Sequence, residues 1–335
     1  MTGLNCAIRL APTDNDIGLD RIREKEITVS ASLANSPAVM AFLAIPGTVK
    51  WSYSVGGVIF AIGLITIFLR GDWQKSRGFD KLILWGPLFY AVPIAAFGTE
   101  HFTLTPEIAS LIPAWIPWHM FWAYFVGACF IAAALSLVTG IQVRLSASLL
   151  ALNFFLFVLL MDAPAWAQTP RDRFAAALTL RELSFCAGPL ALAAGLSGQG
   201  RERTARIFAA IARYFIAVTV LFYSFEQFLH ADHVPGLPLE RVTPAWIPVR
   251  TFWTYLNSVA YAVAGIPLLL GKKTRAAATW IGLTVLFVVL VVYVPIAVVD
   301  RASLDDGLNY FFDTLMFCGT ILLLAGAMPG EVDTG

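Results

Sequence analysis

Pro113–Tyr124 reads PAWIPWHMFWAY, and Pro244–Tyr255 reads PAWIPVRTFWTY. Eight of the twelve positions are identical. Each copy follows an apolar stretch closed by a glutamate, Glu100 or Glu226, and each opens another apolar stretch. The match resumes downstream, where LSFCAGPLALAAG from Leu183 corresponds to LMFCGTILLLAG from Leu315. Self-similarity at a long period is the mark of an internal duplication, and it governs how the remaining features are read.

Only 13% of the 335 residues are charged and 58% are hydrophobic, with a mean hydropathy of +0.73. Soluble domains carry about 25% charge. Runs such as Ala147–Met161 and Ala276–Val299 hold no charged residue. About 20 apolar residues suffice to cross a bilayer as a helix. The expected fold class is therefore all-α integral membrane, with lipid as the first partner. A net charge of +1 gives no footing for nucleic acid or an acidic surface. No P-loop, dinucleotide fingerprint, nucleophile elbow or HExxH motif is present.

The hydropathy pattern predicts about nine transmembrane helices, near 52–69, 82–100, 120–139, 145–162, 176–196, 208–229, 251–270, 276–299 and 307–327. Residues 1–51 form a tail, with a surface helix expected over Asp14–Glu26; Pro37 and Pro46 interrupt Ala31–Val49 too often for a span. The stretch Met1–Ser30 lacks the apolar core of a cleavable signal. Residues 52–81 are an extra helix with a basic loop, 82–200 a first four-helix unit and 201–335 a second. An even number of helices per unit sends both copies into the membrane in the same direction. The units should then be tandem bundles related by a pseudo-twofold axis along the membrane normal. Loops with Arg70, Lys75, Arg77 and Lys81, with Arg144, with Arg201, Arg203 and Arg206, and with Lys272, Lys273 and Arg275 alternate with loops poorer in basic residues. By the positive-inside rule the first set is cytoplasmic, which puts the N-terminus outside, the C-terminus inside and both PAWIP segments on the extracytoplasmic face of a plasma membrane.

The prolines of each PAWIP hold the chain extended, and helix begins after the second. The aromatic rings suit a membrane–water boundary, as a rigid elbow, and they can also roof a pocket. Pro87, Pro93, Pro189, Pro267 and Pro295 are expected to kink their helices, and Asn153, Asn257 and Asn309 to hydrogen-bond between helices. Of Cys6, Cys129, Cys186 and Cys318, the last two hold equivalent places in the repeats and read as small packing residues rather than a redox pair.

All four histidines (His101, His119, His230, His233) fall in the two equivalent segments. Glu226, His230 and His233, spaced by four and three, share a helical face if the helix runs that far. His119 in the first copy becomes Arg250 in the second. Arg181 and Glu182 lie two turns into their helix, with Asp313 at matching depth. Charges inside a membrane pair, face the bundle interior or line a pathway. Pairing of Glu100 or Glu226 with Arg181, His119 or Arg250 is the expectation. Three readings compete: a buried network that fixes helix packing, a polar pocket for a small ligand, quinone head group or protons, and a metal or haem site. The first is the simplest. The third is disfavoured, because His230-Ala-Asp-His233 runs straight into Pro235 and Gly236 like a fraying helix end.

A helix ending in an acid, the P-x-W-I-P-x-H/R-x-F-W-x-Y elbow, and a fourth helix with C-A-G-P-L or C-G-T-I-L resemble the DoxX-like membrane proteins. Members are four-helix units, and residues 82–327 look like two fused. The resemblance implies a membrane subunit, or a quinone-interacting or anchoring component, of an oxidoreductase-type assembly, with other membrane subunits as partners and quinone as the cofactor to seek. It carries the family's polar positions onto Glu100, His119 and Glu182, and onto Glu226, Arg250 and Asp313; His101, Trp122, His230 and Trp253 complete the candidate ligand site. The changes from His119 to Arg250 and from Glu182 to Asp313 point to two units that no longer do the same thing. A small-solute or ion transporter, or a structural accessory subunit without chemistry, are the alternatives.

Overall fold

The computed structural model describes residues 44–198, 200–237 and 241–329. The helix expected over Asp14–Glu26, Cys6 and most of Ala31–Val49 lie outside them. Nine helices among the described residues are long and apolar enough to cross a membrane: α1 (Gly47–Leu69), α2 (Asp80–Thr103), α3 (His119–Thr139), α4 (Val143–Gln168), α5 (Arg173–Gly195), α6 (Glu202–Leu229), α7 (Arg250–Leu269), α8 (Thr274–Val299) and α9 (Gly307–Ala327). Their outward faces carry large apolar side chains such as Leu149, Leu152 and Phe155, as a lipid solvent requires. The chain is a multi-pass membrane protein by this measure. α1 starts at Gly47, directly after Pro46 and more than a turn before the expected start.

The packing follows a ring. α2 lies against α3, α3 against α4, and so on to α8 against α9, while α9 returns to α2. The ring is pinched where α5 meets α9, and α1 packs outside on α2 and α3. Contacts also cross between the two expected four-helix bundles, with α2 on α9 and α5 on both α6 and α9. Small residues make these approaches possible. A Cβ on Gly319 would come within 2.5 Å of the Tyr90 backbone nitrogen, and one on Gly188 within 2.9 Å of the Thr320 Cα.

α4 and α8 each widen into a π turn, at Val158–Asp162 and Val289–Tyr293. Pro164 and Pro295 follow immediately. Proline lacks an N–H and its ring collides with the carbonyl four residues back, so the wider turn relieves both faults. Trp118 and Val249 adopt left-handed backbone, as do Gln142 and Lys273, and as do Gly140 and Gly271. Pro93, Pro189 and Pro267 lie inside helical runs, whereas Pro87 stands in the first turn of Gly86–Thr103 and starts that run instead of kinking it.

Successive helices alternate in direction, so both PAWIP segments occupy one end of the ring, the elbow end. At the opposite, basic end, arginines satisfy helix C-termini. Arg70 donates to the Thr139 carbonyl, Arg213 to those of Leu268 (2.5 Å) and Leu269 (2.7 Å), and Arg275 to that of Met328 (3.1 Å). The last carbonyls of a helix have no partner of their own and carry its negative dipole end, so a guanidinium answers both needs.

Candidate functional site

The elbows turn on a single residue each. Trp118 (φ 61°) and Val249 (φ 51°) take left-handed backbone, and helix begins at His119 or Arg250. Beyond the turn the copies part. In the first, Phe121, Trp122 and Phe125 touch one another on the helix face. In the second, the Trp253 Nε1 donates to the Pro248 carbonyl at 2.9 Å, and its ring packs against Phe287 and the buried group of Val234, Ile247, Val288 and Val292. Trp253 is locked inward and Trp122 is not.

Glu226 is buried in the last turn of α6, and its carboxylate meets the Arg173 guanidinium at 3.3 Å. His230 Nε2 lies 3.8 Å from the same carboxylate. His233 does not continue the helical face, because α6 ends at Leu229. The chain turns instead into a β-bridge between His233 and Val242, with Val234 N donating to Arg241 O at 2.9 Å. The turn still returns His233 to the cluster: its ring is 5.8 Å from that of His230, and its Nε2 is 3.5 Å from Arg173 Nη2. His233 Nδ1 donates to Asp232 Oδ1 at 2.9 Å, which leaves Nε2 as the acceptor facing Arg173. That hydrogen bond also holds the Asp232 carboxyl below its ordinary value. Thr254 ties the turn to α7 by donating to the His233 carbonyl at 2.8 Å.

Val234 and Leu237 are buried, and Gly236 (φ 106°) approaches Thr314. Tyr293 donates to the Pro235 carbonyl at 2.5 Å and Gln227 to that of Gly236 at 2.7 Å. Asn257 donates to Gln227 at 2.7 Å, as expected of an interhelical asparagine, and Ser224 and Ser258 exchange hydroxyl–carbonyl bonds at 2.8 and 2.6 Å. The sheltered Asn153 Nδ2 has no such partner.

A second cluster sits deeper. Arg181 Nη1 donates to Asp313 at 2.6 Å and Nη2 to Glu182 at 3.0 Å. The guanidinium therefore bridges α5 and α9. Glu226 thus pairs with Arg173 and His230, not with Arg181 or Arg250, because Arg173 heads the helix next to α6 while Arg181 faces α9. Cys186 and Cys318 remain separate thiols, each donating to a neighbouring carbonyl, Ala151 at 3.2 Å and Gly282 at 3.3 Å.

In the other half, Glu100 is buried, three residues before the end of α2. His101 Nδ1 donates to Phe97 O at 2.8 Å, and its ring meets Phe130 at 5.4 Å. The interior there is aromatic, with Phe130, Phe154, Phe157 and Phe185 in contact. Among the described residues, no group of three or more His, Cys, Asp and Glu side chains is placed to hold a metal ion. Arg173 was not among the expected site residues. A buried Glu226 beside two histidines demands a cation, and Arg173, positioned by the Asp172 cap on Phe174 N (2.9 Å), was the signal available.

No protein-family profile, curated protein or solved structure matches the chain.

Proposed function

We propose that the protein is a DoxX-like plasma-membrane subunit that interacts with quinone, or anchors a quinone-reactive partner, in an oxidoreductase-type assembly. The observation that carries this reading is the Glu226–Arg173–His230–His233 cluster, gathered from α5, α6 and the turn after α6 at the elbow end. A quinone head group offers two carbonyl oxygens, and Arg173 and His230 supply N–H donors for them, with His233 orienting the Arg173 guanidinium. Lipid-facing apolar helix surfaces are where an isoprenoid tail would lie. With the basic loops inside, this end faces out of the cytoplasm.

We infer also that the chain arose by duplication. The two π turns, the left-handed residues Trp118 and Val249, and Gln142 and Lys273 all recur at the interval that separates the PAWIP copies. On this reading the two halves diverged: one interior is aromatic, and the other is hydrogen-bonded and closed by Val234–Leu237. The aromatic packing also counts against a transporter, which needs a continuous polar path.

The test is equilibrium binding of a short-chain quinone, read by quenching of tryptophan fluorescence in lipid nanodiscs. Binding weakened at least tenfold by Glu226→Gln supports the reading. Equal binding by both proteins contradicts it.

A further inference from the structure

Three places lie apart from the Glu226 cluster: a groove of about 350 Å³ at the basic end lined by Arg206 and Arg213, the exposed first elbow, and the Arg181 cluster. Of these, the Arg181 cluster alone brings charge into the interior. Arg181 and Glu182 lie eight and nine residues into α5, about 12 Å from its start by the rise of a helix. The guanidinium holds Asp313 at 2.6 Å and Glu182 at 3.0 Å. Asp162, on the π turn of α4, lies within electrostatic reach of both Arg181 and Glu182. Its Oδ2 is sheltered and has no hydrogen-bond donor among the described residues.

One cation therefore pairs with two carboxylates, and a third, Asp162, stands nearby. The neighbouring helices add none: Tyr90 from α2, Tyr223 from α6 and Tyr293 from α8 direct their hydroxyls to backbone carbonyls, Tyr261 of α7 is a neutral phenol, and Cys186 donates to Ala151. Among the described residues, no Lys, Arg or His other than Arg181 pairs with Glu182, Asp313 or Asp162. Excess negative charge inside a membrane is costly, and a carboxylate sheds it most simply by taking up a proton. The Arg181, Glu182 and Asp313 side chains keep 26%, 14% and 10% of their accessibility.

We infer that Arg181, Glu182, Asp313 and Asp162 form a proton-binding site at the α5–α9 contact, which holds an exchangeable proton at neutral pH. Protonation converts one carboxylate of the group to a carboxylic acid, with the proton drawn from solvent. Deprotonation restores the surplus charge at the joint between the halves. The inference is independent of quinone.

The experiment is infrared spectroscopy of the full chain in nanodiscs at pH 7, in H₂O and D₂O. The expected result is a D₂O-sensitive carboxylic acid C=O band that is lost or reduced in Glu182→Gln, Asp313→Asn or Asp162→Asn. Should Asp313→Asn fail to fold, Asp162→Asn, which breaks no ion pair, reads the same site: removing its charge must lower the band at pH 7. A wild-type spectrum without the band overturns the proposal, as does a band undiminished in every folded variant.

Discussion

The Arg181 guanidinium meets the Asp313 carboxylate at 2.6 Å across the α5–α9 contact, 132 residues away in sequence. It is the polar link between the two helices at which the ring is pinched. Breaking a buried pair from one side leaves charge unpaired and costs about 3–5 kcal/mol. Arg181→Met leaves Glu182 and Asp313 facing one another, so its melting temperature in detergent should fall far more than that of Arg144→Met on the basic loop side. Equal melting temperatures would remove the pair from the account of stability.

Gly319 lets α9 touch α2. An alanine there drives a methyl into the Tyr90 backbone, whereas one at Gly57 of α1 meets nothing within 4 Å. Overpacking costs about 1–3 kcal/mol. Gly319→Ala should lower thermal stability by that order, and Gly57→Ala should leave it unchanged or slightly raised; size-exclusion profiles after heating separate the two.

Val249 holds left-handed backbone with a β-branched side chain that is mostly exposed. Asparagine tolerates that conformation far better than a β-branched residue. Val249→Asn should stabilise the protein by about 1 kcal/mol through relief of that backbone strain. A drop in melting temperature would show that the Val249 side chain packs against something this structure does not place beside it.

The spans and the elbow were legible because both rest on local chemistry: apolar length, and proline's fixed backbone. The ring was not, because repeat order says which helices correspond and not which pack; that choice is made by Gly319 and Gly188 through backbone approach. The spacing puts His233 on the face of Glu226 only if the helix runs that far; α6 ends at Leu229, and a β-bridge brings His233 to Arg173 and His230 instead. Arg173 falls between the expected spans 145–162 and 176–196, and only the packing of α5 on α6 brings it to Glu226. The third π turn, Leu304–Asn309, adds a residue at the start of α9. It accounts for the downstream match being offset by one further position than the elbows, so that on the duplication reading Asp313 falls opposite Arg181 rather than Glu182.

Arg173→Gln leaves the buried Glu226 without its guanidinium, so it should lower the melting temperature, though by less than Arg181→Met because Arg173 is the more exposed of the two. The double variant Arg173→Gln/Glu226→Gln should recover part of that loss. Short-chain quinone affinity should fall about tenfold or more in both. Unchanged affinity in the folded double variant would make Arg173 a packing residue.

The central claim, a quinone held at the Glu226 cluster, is met most directly by purification in mild detergent with native lipid retained, followed by mass spectrometry of the extract. The account predicts quinone in near-stoichiometric amount with the wild type and its loss with Glu226→Gln. A wild-type extract free of quinone, with a partner protein co-purifying, would contradict it and make the chain an accessory subunit.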